Sequence, residues 1–214
     1  MILFLVAFSF LQVLVFKIFN PPGTVNMVYE WVRGNYFDAP YVSPKYEWKN
    51  LEDISPYLQQ AVLASEDQRF LTHHGFDFQE IRNVIDDVFA NRGFRGASTI
   101  SMQAARSLYL PASRSILRKL GEAWYTIIIE LVWDKKRILE IYLNTVDWGT
   151  GIVGVQAGAQ AYFSCNAKDL TPAQAALMAA ILPSPHKWSA TNPGPYVQKR
   201  QDRILKQMRT MPVL

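Results

Sequence analysis

Hydrophobic positions divide the chain into three stretches of different character. Residues 1–16, MILFLVAFSFLQVLVF, carry no charged side chain, and Ile18 and Phe19 extend the run past Lys17. As a helix, such a run rises about 24 Å to Phe16 and about 28 Å to Phe19, close to the roughly 30 Å hydrocarbon core of a bilayer. The pattern predicts one membrane-spanning anchor over 1–19. No small-residue cleavage site follows it, and Asn20, Pro21, Pro22 and Gly23 break the helix, which favours an anchor that stays attached over a removable signal. A buried core helix is the plainer alternative, but the run is apolar on every face. Residues 20–56 hold Tyr29, Trp31, Tyr36, Phe37, Tyr41, Tyr46 and Trp48 without a sustained helical period, and read as a linker and lead-in.

From Tyr57 the helical period takes over. Ile81, Val84, Ile85, Val88 and Phe89 share one helix face, ended by 91–93. Ile116, Leu117, Leu120, Trp124, Ile127, Ile128 and Leu131 mark a longer helix, and Ile138, Leu139, Tyr142 and Leu143 another. Thr171, Pro172 and Gln174 form a capping box with proline at the first helical position, followed by an apolar run that Pro183 stops. Strands do not alternate with helices, so a parallel α/β sheet is unsupported. The pattern predicts a mainly α domain over 57–214.

Composition narrows the chemistry. A length of 214 residues suits one domain beside a membrane segment, and 50% apolar residues are enough for a packed core. One cysteine, Cys165, cannot close an internal disulfide, and three histidines leave little for a His-based metal site. The net charge of +4 is mild, but its distribution is not. Between Val88 and Gly121 stand Arg92, Arg95, Arg106, Arg114, Arg118 and Lys119, with no Asp or Glu. A charge run is usually a solvated face. This one also contains Gly96-Ala97-Ser98-Thr99, whose backbone amides and hydroxyls could meet phosphate oxygens at a helix start, although Ser98 or Thr99 would serve equally as a plain cap. The cations are interrupted by an apolar helix face, unlike the continuous stripe of a nucleic-acid binder, so no nucleic-acid partner is expected.

Carboxylates supply the other half. The apolar stretch from Ala61 runs straight into Glu66 and Asp67. A carboxylate at such a helix end loses solvation when it faces a cleft, which suits a general base near neutral pH; a solvated helix-end acid is the bland alternative. Arg118 and Glu122 are four apart on one face, with the cation N-terminal to the acid. That is the poorer orientation for helix stability and contributes only about 0.2–0.5 kcal/mol, so stabilisation is a thin reason for the pair. In a cleft the same residues would place an ionised carboxylate beside cations able to hold a pyrophosphate. Glu130, two turns on, lies about 80° round the helix.

In this order, five segments resemble the signature motifs of the peptidoglycan glycosyltransferases (glycosyltransferase family 51): EDQRFLTHHGFD (66–77), RGASTISMQAARSLYL (95–110), RKLGEAW (118–124), RILEIYLNTVDWGTGIVGVQAGAQAYF (137–163) and LTPAQAALMAAILPSP (170–185). The resemblance implies a lysozyme-like helical fold and polymerisation of lipid II by inverting transfer, with undecaprenyl pyrophosphate released. It implies Glu66 as the base that deprotonates the acceptor hydroxyl and Glu122 as the second catalytic glutamate near the donor pyrophosphate. Arg118 and Lys119 match the family's basic pair, and Arg106 stands where lysine is usual. Asp67, Arg95, Ser98, Thr99 and Gln103 complete the expected substrate-binding set. Met102, Ser107 and Ser164-Cys165 depart from the family pattern. No tightly bound cofactor is implied, but a divalent cation, Mg or Mn, often assists the pyrophosphate. The implied partners are lipid II, the growing glycan strand, the bilayer and other cell-wall synthesis enzymes. The implied location is the bacterial cytoplasmic (inner) membrane, single-pass, with the catalytic domain on its outer face. Lys17 after the anchor does not fix that orientation. A transpeptidase domain is not expected.

Two other readings remain open on sequence. A lytic enzyme acting on finished glycan would need paired carboxylates but no cation cluster. A scaffold that has kept the fold and lost its activity would be consistent with the three departures.

Overall fold

The computed structural model describes residues 2–37, 40–90, 96–112 and 115–214. Arg92, Arg95 and Arg114 of the basic stretch lie outside the described residues. The expected mainly α architecture is observed. The helices are α1 (Ile2–Ile18), α2 (Val25–Tyr36), α3 (Pro56–Glu66), α4 (Phe78–Phe89), α5 (Ile100–Tyr109), α6 (Ile116–Val132), α7 (Lys135–Thr145), α8 (Val155–Phe163), α9 (Pro172–Ile181) and α10 (Pro195–Gln207). One short antiparallel pair, β1 (Asp147–Gly149) and β2 (Ile152–Val153), interrupts them between α7 and α8.

One core runs through the domain, with α9 packed between α3 and α10, and α5 against α6 and α7. Every residue from Ala175 to Ile181 is buried. This follows from the sequence of α9, which is apolar all round and rich in alanine, so neighbouring helices can close on it from several sides. Its start is the capping box read from the sequence: the Thr171 hydroxyl accepts from the Gln174 amide while the Gln174 side chain accepts from the Thr171 amide. In α7, Ile138, Leu139, Ile141, Tyr142 and Leu143 are all buried. Gly154, at the start of α8, has φ +80, and a Cβ there would come within 2.6 Å of the Asn144 carbonyl oxygen, so this junction requires glycine.

One expectation is corrected: residues 20–56, read as a linker and lead-in without a sustained helical period, contain a helix. Val25, Val28, Tyr29 and Val32 recur at helical spacing, and Thr24 caps the helix they form by accepting from the Met27 amide. Further on, the Asn144 side chain bonds both Lys49 backbone groups, Glu140 accepts from the Leu51 amide, and Leu51 and Ile54 enter the core. Of the anchor expected over 1–19, the structure shows a helix. Among the described residues no helix is long and apolar enough to cross a membrane. α1 is helical for 17 residues, at the short end of the roughly 17–25 used by bilayer spans.

Nor does α1 stand free. One side packs on α6, where Trp124 Nε1 donates to Ser9 Oγ at 3.0 Å, Tyr125 donates to Gln12 Oε1 at 2.7 Å, and Trp133 Nε1, just past the helix end, donates to the Val13 carbonyl at 2.8 Å. Arg137 bonds the carbonyls of Phe16 and Phe19 at the helix end. Ser9 and Gln12, the two polar residues of the apolar run, are therefore the ones turned to the protein. Leu3, Phe4, Leu5, Phe8, Leu11, Leu14 and Ile18 remain exposed.

Candidate active site

Glu66 is the last residue of α3, whose face of Leu58, Ala61, Val62 and Leu63 is locked in the core. The helix therefore delivers the carboxylate at a fixed point. Its Oε2 accepts from Gln103 Nε2 at 3.1 Å; its Oε1 accepts from the Ser65 hydroxyl at 2.9 Å and from Arg200 Nη2 at 3.3 Å. Behind Gln103, the buried Tyr142 hydroxyl donates to its Oε1 at 3.3 Å. Burial, then the nearby Glu66 charge, push the Tyr142 hydroxyl well above the ordinary phenol range, with Arg106 opposing. It therefore stays protonated and holds Gln103 with its amide turned to Glu66.

From Gln103 the line continues along α5. Gln103, Arg106 and Ser107 sit at i, i+3 and i+4, on one face, and line a cleft of about 790 Å3. Arg118, near the start of α6, faces the same space. Its Nη1 donates to Glu122 Oε2 at 2.9 Å, and Lys119 Nζ meets Glu122 Oε1 at 2.7 Å. Glu122 has no exposed surface. A buried carboxylate is tolerable only when paired and hydrogen-bonded, and two cations do this here. Lys119 also reaches toward Ser98 Oγ at 3.4 Å, which joins the α6 cations to the segment before α5. Among the described residues Arg118 Nε is buried without a hydrogen-bond partner.

The expected residues thus separate into groups. Glu66 and Gln103 are hydrogen-bonded to each other, Arg118, Lys119, Glu122 and Ser98 form a second bonded group, and Arg106 lines the cleft together with Gln103 and Arg118. Asp67 and Thr99 are engaged elsewhere. Both Asp67 oxygens are 3.0 Å from His73 Nε2, and one accepts from the Ile100 amide at 2.9 Å. This ties the end of α3 to the start of α5. Thr99 caps α5 by accepting from the Met102 amide, and donates to the Gly75 carbonyl. Arg95 is outside the described residues. Glu130 does not join the cleft; Lys135 pairs with it at 2.7 Å and Ser101 donates to it.

A family model described as Transglycosylase matches residues 34–209. Among similar curated proteins, the biosynthetic peptidoglycan transglycosylase of Chromohalobacter salexigens is 46% identical over 210 residues, covering 96% of this chain and 88% of that protein. Those of Pseudomonas syringae pv. syringae and Pseudomonas aeruginosa are 45% and 44% identical, covering 98% and 97% of this chain and 89% of each relative. The chain belongs to the transglycosylase family. It is an enzyme, a peptidoglycan glycosyltransferase.

For this transglycosylase, sequence reasoning missed three groups. Arg200 touches Glu66, yet in sequence it is one of several cations on the charged face of α10 beside Lys199, Arg203 and Lys206. Tyr142 falls on an apolar helical position, which conceals the use of its hydroxyl. His186 and Asp147, paired at 2.7 Å on the far wall of the cleft, are separated by 39 residues and follow no spacing rule.

Proposed function

We propose that this transglycosylase polymerises lipid II into linear glycan strands by inverting transfer, releasing undecaprenyl pyrophosphate. Glu66 takes the proton of the acceptor sugar hydroxyl as its oxygen attacks the anomeric carbon of the donor. The bond from that carbon to the pyrophosphate oxygen breaks, and the leaving group departs with its electron pair toward Arg106, Arg118 and Lys119. Glu122 fixes the last two cations. The observation that carries this reading is that Gln103, which donates to Glu66, shares one face of α5 with Arg106, and that Gln103, Arg106 and Arg118 line one cleft. The Glu66 carboxylate is thereby held next to a cleft wall that carries cations, with Lys119 and Glu122 bonded beside Arg118.

Among the described residues no group of three His, Cys, Asp or Glu could hold a metal ion, and both Glu122 oxygens are taken by cations. The proposed divalent ion, Mg or Mn, would therefore come with the pyrophosphate of the substrate, and no step is assigned to it. A location at the outer face of the cytoplasmic membrane fits a lipid-linked substrate, as does partnership with other cell-wall synthesis enzymes. Besides the exposed face of α1, α6 exposes Ile116, Leu117, Leu120, Ile127 and Leu131, and apolar surface of this kind suits a bilayer. Purified chain given lipid II should yield long glycan and free undecaprenyl pyrophosphate. Release of short muropeptides from sacculi with lipid II untouched would refute the assignment.

A further inference from the structure

The sequence of α10, PYVQKRQDRILKQ, sets Lys199, Arg200, Arg203 and Lys206 against a single acid, Asp202. Val197 and Ile204 turn into the core, and Gln201 donates to the Ala173 carbonyl of α9 at 2.9 Å. Tyr196, Lys199 and Arg203, at i, i+3 and i+7, share a different, exposed side of the helix, and Lys206 continues the row. Among the described residues only Arg200 of these four cations has a partner; Lys199, Arg203 and Lys206 are exposed and unpaired.

Two contacts fix how this side lies relative to the catalytic base. Arg200 Nη2 donates to Ser65 Oγ at 2.8 Å and to Glu66 Oε1 at 3.3 Å, at the end of α3, while Gln60 Nε2, near its start, donates to the Met211 carbonyl at 2.7 Å. α10 therefore runs antiparallel to α3, and Tyr196, one turn or about 6 Å before Arg200, lies past the Glu66 end. There its ring meets that of Trp188, with centroids 5.1 Å apart. Trp188 is partly buried against the core and Tyr196 is 61% exposed. His186, two residues before Trp188, lines the active-site cleft, so the two rings form a braced shelf at its rim. Glu66 stands between the two regions, with Oε2 turned to Gln103 and the cleft and Oε1 to α10.

An occupant matching this surface presents C–H faces to the rings and carboxylates to the cations. Pyranose rings have such faces, which pack on the negative faces of aromatic rings, and acidic peptide stems supply the carboxylates. A bare polyanion would leave the shelf unused, and an uncharged glycan would leave Lys199 and Arg203 unused. We infer that Trp188 and the exposed side of α10 form a track for a glycan strand bearing acidic peptide stems, with sugars on Trp188 and Tyr196 and stem carboxylates at Lys199 and Arg203. Resting on the lipid II reading given above, this adds a surface outside the cleft that holds the strand beside Glu66.

Binding to the full-length chain in detergent is measured with lipid-free, uncrosslinked glycan oligomers, once with their stems and once after an amidase has removed them. Wild type should hold the stem-bearing oligomer about three- to tenfold more tightly than the stripped one. Lys199→Gln with Arg203→Gln should erase that preference and leave the stripped oligomer within about twofold, whereas Lys199→Arg with Arg203→Lys, which keeps both charges, should retain it. Tyr196→Ala should weaken both oligomers about threefold or more. All three positions are exposed, and circular dichroism identifies the folded variants. Wild-type affinity for the stem-bearing oligomer in the folded charge variant, or for both oligomers in folded Tyr196→Ala, would overturn the track. Loss of flotation with anionic vesicles by the charge variant, with its oligomer binding unchanged, would do so too and assign the cations to lipid headgroups. Because these oligomers carry no pyrophosphate, binding is read without turnover and the two readings fail separately. A wild-type chain that shows the preference but makes no glycan from lipid II would refute polymerisation and leave the track standing; one that polymerises lipid II but binds both oligomers alike would refute the track alone.

Discussion

Glu66 receives hydrogen bonds from α5, from α10 and from its own helix, so its aim depends on residues far apart in sequence. Arg200 does not need to touch substrate to matter. Its removal leaves Glu66 Oε1 with the Ser65 hydroxyl alone and takes the cation away from both groups. Arg200→Gln should lower kcat several-fold with little change in KM, and steady-state assays of lipid II turnover would show it. An unchanged kcat would make the contact incidental. Tyr46 supports a second expectation. Its hydroxyl donates to the Pro21 carbonyl, and burial raises it from 10 to about 12 despite Arg137. A group whose folded value is raised gives stability that is full below its unfolded value and lost as pH climbs toward the folded one. The urea midpoint should therefore fall as pH rises from about 10 to 12, and Tyr46→Phe should make that fall shallower. Equal slopes would remove Tyr46 from the alkaline transition.

At the scale of elements, legibility followed the repeating signals. The periods of α4, α6 and α7 and the capping box of α9 could be read directly, because each depends on residues a few positions apart. Thr171→Ala should cost about 1 kcal/mol of stability, measured by denaturant unfolding, and leave kcat unchanged. α2 was hidden by the aromatic residues scattered through its segment, and no residue of it is buried. The stitching of Lys49 and Leu51 onto α7 joins residues about ninety apart, which no local pattern encodes. Within the site, Glu66, Glu122 and the Arg118-Lys119 pair stood out by charge context. Asp67 and Thr99 were grouped with them by the family resemblance, and in the fold both fasten α3, α5 and the Gly75 turn.

The molecule as a whole presents two surfaces that belong together. One is the cleft with its cations, and the other is the apolar exterior of α1 and α6. If the second meets a bilayer, the double variant Leu117→Asp with Leu120→Asp should float with anionic vesicles several-fold less than wild type. Both positions are exposed, so its melting temperature should stay close to that of wild type; undiminished flotation would place the bilayer contact elsewhere. The packing of α1 on the domain was not legible in the sequence: its polar positions are few, but Ser9, Gln12 and the Val13 carbonyl coincide with donors on α6 and Trp133.

The most direct measurement is glycan synthesis from purified lipid II by wild type and Glu66→Gln, compared at matched thermal stability. Loss of the base should lower turnover by about a hundred- to ten-thousand-fold, with undecaprenyl pyrophosphate release falling in step. Polymer formed at equal rates by both chains would contradict a catalytic role for Glu66 and, with it, the mechanism built on that residue.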